Sequence, residues 1–96
     1  MKECDIFWSP LAEESYLNTL SQIIERWTVK EAEEFEAKVE SFIEKLKTQK
    51  RLCPPSNIQK SLRRCVITSQ TSLVYQIKDN IIELVAFFDN RSEHQY

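Results

Sequence analysis

The residues best suited to chemistry in this chain of 96 amino acids are cationic side chains in its second half. Residues 45–78 carry eight lysines and arginines and no Asp or Glu, whereas residues 1–44 carry eleven acids and four bases. The positive electrostatic potential of residues 45–78 attracts phosphates or acidic protein surfaces, although the net charge of the whole chain is only −2. Cations at the C-terminal end of a helix complement its dipole, which accounts for those at positions 45–51. The candidate residues for binding a phosphate or a partner are Lys60, Arg63, Arg64, Lys78 and Arg91.

The remaining residue types point away from metal and nucleotide chemistry. Cys4, Cys53 and Cys65 are odd in number and lack CxxC spacing, so we expect three buried or half-buried thiols rather than a disulfide framework or a zinc site. The chain has one histidine, His94, and no glycine, which leaves no glycine-rich phosphate loop and no convincing Ser-His-Asp triad. We therefore expect neither a metal nor a cofactor.

Hydrophobic spacing and turn residues predict the elements that carry these side chains. Ser9-Pro10 is typical of a helix start, and Thr28 with Glu31 fits a capping box that ends one helix and starts the next. Cys53-Pro54-Pro55 cannot continue a helix. The pattern predicts a strand at 4–8, helices at about 10–27 and 29–49, and strands at about 63–69, 72–78 and 81–88, with turns at Gln70-Thr71 and Asp79-Asn80.

The order of these elements predicts an α+β fold in a single domain spanning residues 1–96. An N-terminal strand precedes a two-helix hairpin, a three-stranded antiparallel meander follows, and the helices pack on one face of the sheet. Alternation predicts that this face carries Leu73, Tyr75, Ile77, Ile82, Leu84, Ala86 and Phe88. The other face mixes polar with apolar residues, and we expect part of it to meet a partner. No apolar run reaches the about 20 residues of a membrane helix and no signal peptide is evident, so we expect a cytoplasmic protein that does not enter membranes.

This succession of a strand, two helices and a three-stranded meander resembles the RelE/ParE superfamily of toxins from bacterial type II toxin–antitoxin systems. WSPLAEESY is similar to the family's opening, a Trp/Ser-led turn into a helix. LRRCVITSQTSLVYQIKDNIIELVAFFDNR is similar to its closing meander, which runs from a basic pair to a terminal arginine. The resemblance covers nearly all of residues 3–92. It implies a toxin of the plasmid stabilisation type that a cognate antitoxin neutralises, with a toxin–antitoxin hetero-oligomer as the expected assembly.

One branch of the superfamily cuts mRNA on the ribosome without a metal, and membership of it would make the chain an endoribonuclease. The reaction needs a base for the 2′-hydroxyl, cations for the phosphorane and an acid for the leaving oxygen. By position, the resemblance implies catalytic roles for Arg63, Arg91 and Tyr96. Ser72 replaces the arginine that should open the second meander strand, and Cys65 takes a further basic position. A catalytic role would then need compensation from Arg64, Lys60 or His94.

The other branch inhibits DNA gyrase by binding and performs no chemistry of its own. Its members tend to have a longer helical hairpin, which suits the predicted helices, and the missing arginine is no objection to it. This branch is the favoured hypothesis, and the ribosome with its mRNA is the alternative target. A third hypothesis is a non-toxic relic that keeps only antitoxin binding, which the low overall charge favours.

Overall fold

Both helices begin beside the residues that cap them in the computed structural model, which describes residues 3–91. The first helix, α1, spans Pro10–Arg26, and the Ser9 hydroxyl accepts a hydrogen bond from the amide of Ala12 at 3.0 Å. The second helix, α2, spans Val29–Thr48, and the Thr28 hydroxyl accepts from the amide of Glu31 at 3.2 Å. The two-residue connection leaves the helices folded back on each other, as the capping residues predict.

Within residues 3–91, four strands form one sheet: β1 (Asp5–Trp8), β2 (Arg63–Val66), β3 (Thr71–Lys78) and β4 (Ile81–Asp89). Their order is β1-β4-β3-β2, with antiparallel pairing through the meander and parallel pairing of β1 with β4. Asp79 adopts a positive φ of 55° in the turn between β3 and β4, as predicted. The helices pack on one face of the sheet, so the predicted α+β architecture is confirmed.

The strand that carries the basic pair is shorter than the sequence pattern predicts. β2 ends at Val66 because Thr68 folds the chain into a turn, in which its hydroxyl accepts the amides of Gln70 and Thr71 at 3.2 and 3.1 Å. A threonine hydroxyl that bonds the backbone two and three residues ahead competes with strand pairing. Thr71, predicted as a turn residue, instead opens β3.

A bulge in β4 corrects the predicted faces of the sheet. Val74 pairs with Ala86, but its neighbour Tyr75 pairs with Leu84, so β4 contributes one extra residue at this point. A bulge shifts the alternation of every side chain beyond it. The prediction that Ala86 and Phe88 face the helices is therefore wrong. Phe87 takes that place and stacks on Trp8, with ring centroids 5.7 Å apart.

The hydrophobic core lies between the helices and the sheet face toward them, which we call the inner face. Tyr75 is fully buried at its centre, and Tyr16 joins Trp8 and Phe87 in an aromatic group with centroids 5.2–5.7 Å apart. The other buried members of this core include Phe35, Val39, Leu46, Leu73, Ile82 and Leu84.

The cysteines differ from the prediction, because Cys53 and Cys65 form a disulfide. Pro54 and Pro55 turn the chain back beside β2, where the Pro54 carbonyl accepts the amide of Arg64 at 3.1 Å, and this brings the two Cα atoms to 5.4 Å. Disulfide pairing needs this spatial approach and no particular sequence spacing, so the expectation of three thiols is wrong for two of them. Cys4 is free and buried, as expected.

The described part of the chain contains no helix that is both long and apolar enough to cross a membrane. Among the same residues, no group of three or more His, Cys, Asp or Glu side chains is placed to hold a metal ion.

Candidate functional site

The sheet face away from the helices, which we call the outer face, brings Arg64 close to the end of β4. Arg64 pairs with Val74 across the strands, and Ser72 pairs with Phe88, so all four side chains lie on this face. Val74 and Ser72 are fully buried there. Long side chains from the edge strand β2 must therefore extend over β3 to reach β4.

Arg64 makes this crossing and is fixed at three points. Its guanidinium lies over the Phe88 ring, 5.1 Å from the centroid, at a distance suited to a cation–π interaction. Its Nε donates to the Ser72 hydroxyl at 3.4 Å, and its Nη2 donates to the Asn90 side-chain oxygen at 3.2 Å. The Ser72 hydroxyl also donates to that oxygen. We call these four residues the Arg64 cluster.

The described groups that contact the Arg64 guanidinium are neutral. Within residues 3–91 its side chain forms no ion pair with a carboxylate, and its partners are a hydroxyl, an amide oxygen and an aromatic ring. A preorganised guanidinium without a counter-ion suits a bidentate interaction with an incoming phosphate or carboxylate. The cluster is therefore a candidate anion-binding site on the outer face.

Arg63 lies on the opposite side of the sheet from its neighbour. It pairs with Tyr75, whose side chain is in the core, and its Nη1 donates to the Cys53 carbonyl at 2.6 Å. This bond ties β2 to the segment that follows α2. Arg63 and Arg64, adjacent in sequence, thus belong to two different surfaces.

The other cations predicted to bind a partner are dispersed. Lys60 is exposed in the connection between α2 and β2. Lys78 lies at the end of β3 far from Arg64, six residues or about 20 Å along the strand from Ser72, and it pairs with Glu83 at 3.6 Å. Glu83 also accepts a hydrogen bond from the Gln76 amide, so this end of the outer face carries its own acid.

Arg91 is at the same end of the sheet as the Arg64 cluster but is engaged by a carboxylate. Its Nε and Nη2 donate to Asp89 at 3.2 and 3.0 Å. These bonds and that of the Arg91 amide lower the pKa of Asp89, with a smaller contribution from the charge of Arg26. Tyr96 and His94, to which the sequence assigned catalytic possibilities, lie outside the described residues.

Sequence reasoning missed a groove at the corner between α1 and the far end of the sheet. A cavity of about 300 Å³ there is lined by Asn18, Gln22, Arg26, Trp27, Gln70 and Arg91 among others. A second cavity of about 260 Å³ shares Trp27 and Gln70 with it and extends along α2 past Glu34. Trp27 is 51% exposed, although it follows Tyr16, Leu20 and Ile23 at the helical spacing of an apolar stripe along α1. Its position at the end of that stripe, directly before the Thr28 cap, is the sequence signal that could have found this corner.

Comparison of the sequence with known protein families gives a match that covers nearly all of the described chain. Residues 6–94 match the family described as the ParE toxin of type II toxin–antitoxin systems. The chain belongs to the ParE toxin family. No curated protein sequence shows significant similarity to it.

Solved structures of the RelE/ParE superfamily have the same fold. The chain is similar to a protein of the chromosomal ParDE toxin–antitoxin system from P. aeruginosa, with a TM-score of 0.76 and 11% identity over 91% of this chain and 96% of the other. It is similar to a chain of the RelBE2 toxin–antitoxin complex from Mycobacterium tuberculosis, with a TM-score of 0.65 and 14% identity over 96% and 97%. For the YoeB dimer from Staphylococcus aureus the TM-score is 0.62, with 18% identity over 94% and 99%. At these identities the likeness establishes the shared fold of a ParE/RelE toxin.

Proposed function

We propose that this ParE-family toxin inhibits DNA gyrase by binding and that a cognate antitoxin neutralises it. The choice of gyrase over mRNA rests on the residue type and the surroundings at position 72. A ribonuclease of the superfamily would have an arginine there to stabilise the phosphorane, whereas here a fully buried hydroxyl is bonded to Arg64 and Asn90. Arg91, which the resemblance matches to the cation after the last strand of such a site, is paired with Asp89. A toxin that acts by binding needs neither charge to be free.

The Arg64 cluster is the feature of this proposal that would touch an acidic target. Its guanidinium is oriented by Phe88 and Asn90 and has no carboxylate partner among residues 3–91. Preorganisation lowers the entropy lost on binding an anion. An acidic surface of the target, rather than a cleaved phosphodiester, is the ligand that this arrangement favours.

The antitoxin is proposed to cover the exposed apolar side of the helices. Leu17 and Ile24 are 61% and 48% exposed and lie seven residues apart on α1, so they project from one side of the helix. Leu17, Ile24 and the Trp27 indole just beyond the helix together form an exposed apolar strip. Such a strip is suited to binding the apolar side of an amphipathic helix. The similar ParDE protein belongs to a toxin–antitoxin system and the similar RelBE2 chain to a toxin–antitoxin complex, which supports an antitoxin as the partner.

The alternative function is ribosome-dependent cleavage of mRNA, and the Arg64 cluster is also the observation that favours it. A fixed guanidinium on the outer face has the charge that a phosphorane requires. Tyr96 and His94, two candidates for general acid–base catalysis in this alternative, lie outside residues 3–91.

The deciding experiment compares gyrase supercoiling with primer extension on translated mRNA, using the same purified protein. We expect inhibition of supercoiling, intact mRNA, and at least about tenfold weaker inhibition by Arg64→Gln, because a charged hydrogen bond contributes about 1.5–3 kcal/mol. Lys30→Gln, which removes an exposed cation at the start of α2, is the matched control and should inhibit like the wild type. Cleavage at the ribosomal A site with unaffected gyrase would establish the nuclease instead.

Growth on induction tests the toxin itself. We expect arrest that a co-expressed antitoxin from the neighbouring reading frame relieves, and Leu17→Glu with Ile24→Glu should weaken that relief. Normal growth together with retained antitoxin binding would identify a relic.

A further inference from the structure

We propose that the Cys53–Cys65 disulfide is a reversible redox switch that sets the rigidity of the basic connection between α2 and β2. This connection, residues 49–62, contains no helix or strand and carries Lys60. The disulfide closes the part of it between its two cysteines into a ring. The proposal concerns the shape of this segment and is independent of the target of the toxin.

Cys53 makes three bonds that hold the connection to the sheet. Its sulfur is bonded to Cys65 of β2, its carbonyl accepts from Arg63 at 2.6 Å, and its amide donates to the Tyr75 hydroxyl at 3.4 Å. That hydroxyl also donates to the Lys50 carbonyl at 2.8 Å. Opening the disulfide removes the covalent tether and leaves the two hydrogen-bonded ones.

The surroundings of the two sulfur atoms allow the reduced state to remain folded. Cys53 and Cys65 are 5% and 1% exposed and belong to the same apolar core as Leu73 and Tyr75. A buried thiol packs as a small hydrophobic side chain, so reduction leaves no unpaired charge in the core. The helices and β3–β4 therefore keep their packing while the ring between the cysteines is released.

Besides the disulfide, hydrogen bonds hold the ring, including those in which the Ser56 hydroxyl accepts the amides of Ile58 and Gln59 at 3.2 and 3.4 Å. The amide of Ser56 donates to the Leu62 carbonyl at 2.8 Å, that of Leu62 to Gln59 at 2.9 Å, and that of Arg64 to Pro54 at 3.1 Å. These bonds lie in a surface connection, which opens at lower free energy than a helix or a central strand. Such opening also gives a reductant access to sulfur atoms that are otherwise covered.

The chemical step is a thiol–disulfide exchange with a cellular dithiol. A thiolate of the reductant attacks one sulfur of the pair, the other leaves as a thiol after protonation, and the mixed disulfide is resolved by the second thiol of the reductant. Two electrons and two protons pass to Cys53 and Cys65, and the reductant leaves as its disulfide. Oxidation by a low-molecular-weight disulfide reverses the step.

Amide hydrogen exchange of the full chain, followed by mass spectrometry in oxidised glutathione and in dithiothreitol, tests the switch. After reduction we expect peptides from residues 53–64 to exchange at least about tenfold faster, at labelling times at which peptides from α1 and α2 remain protected. Thiol alkylation of the denatured protein should count one free cysteine before reduction and three after it, in repeated cycles. Cys53→Ala with Cys65→Ala should match the reduced protein in both conditions, and Cys4→Ser should respond like the wild type.

Three results would overturn the proposal. Alkylation of all three cysteines after equilibration with oxidised glutathione would mean that the pair does not form. Equal exchange in the two states would mean that the disulfide does not control the segment. Exchange throughout α1 and α2 after reduction, and in the double alanine variant, would make the disulfide a structural requirement of the fold.

Discussion

Removing the hydroxyl of Tyr75 tests the interpretation that this group anchors the connection after α2 to the sheet. Tyr75 is fully buried, and its hydroxyl donates to the Lys50 carbonyl at 2.8 Å and accepts the Cys53 amide at 3.4 Å. Tyr75→Phe keeps the ring and its packing but leaves both backbone groups without this partner. Burial raises the pKa of Tyr75, which is in keeping with a hydroxyl enclosed by the core.

The expected loss follows from the two bonds. A hydrogen bond contributes about 1 kcal/mol, and a buried donor left unpaired costs about 1–3 kcal/mol. The Cys53 amide is the more costly group, because its residue is 5% exposed. We therefore expect Tyr75→Phe to lower the free energy of unfolding by about 2 kcal/mol, which corresponds to about 8–16 °C in the thermal midpoint of a chain this size. Tyr75→Ala should cost about 3–5 kcal/mol, since it also leaves a cavity.

Urea unfolding of the oxidised protein, followed by circular dichroism, measures this difference. The matched control is Tyr16→Phe, which makes the same chemical change at a partly exposed ring whose hydroxyl has no hydrogen-bond partner among residues 3–91. The control should change the free energy of unfolding by less than about 0.5 kcal/mol. If the two variants were equally stable, the assignment of an anchoring role to the Tyr75 hydroxyl would be wrong.

Three further predictions concern caps, cross-links and pH. Ser9→Ala should cost about 1–2 kcal/mol in urea unfolding, because the hydroxyl caps α1 and also donates to the Val85 carbonyl at 2.9 Å. Ser9→Thr, which keeps a hydroxyl for both bonds, should cost less. Cys53→Ala with Cys65→Ala should lower the unfolding free energy of the oxidised protein by about 3 kcal/mol through the lost ring closure, and unchanged stability would contradict this account. Burial, with the charges of Glu36 and Glu40, raises the pKa of Tyr16 from 10.0 to about 12. The un-ionised Tyr16 hydroxyl contributes its full stabilisation below pH 10, and this contribution is lost as pH rises toward 12. The wild type should therefore lose more unfolding free energy than Tyr16→Phe over that interval. Equal losses would refute the raised pKa.

The helix boundaries and one turn were accessible to sequence reasoning because their causes are local. Ser9 and Thr28 act on amides three residues away, and Asp79 supplies the positive φ of its own turn. The family resemblance depended on the order of the elements, and the match over residues 6–94 confirms it. Within the described chain, local cues also placed β3 and β4 to within a residue at each end.

The corrections to the sheet faces and to the cysteines come from contacts between distant parts of the chain. The bulge opposite Val74 depends on how β3 and β4 pair, and the sequence of β4 contains no residue that predicts it. The disulfide depends on the return of Pro54 and Pro55 along β2, which brings together two cysteines that are 12 positions apart. The short β2 strand is the exception, because the Thr68 turn is local and a closer inspection of Thr68-Ser69-Gln70 could have predicted it.

The sequence by itself determined the elements, their order, the carboxylate-free basic segment and the family, since each follows from neighbouring residues or from their succession. Only the tertiary structure decided which surface and which partners each of those cations has. Arg63 and Arg64 are adjacent in the chain, yet strand alternation sends one to the Cys53 carbonyl and the other over Phe88. The physical reason is that a charge acts over a few ångströms in space, and the sheet register fixes those distances after the chain has folded.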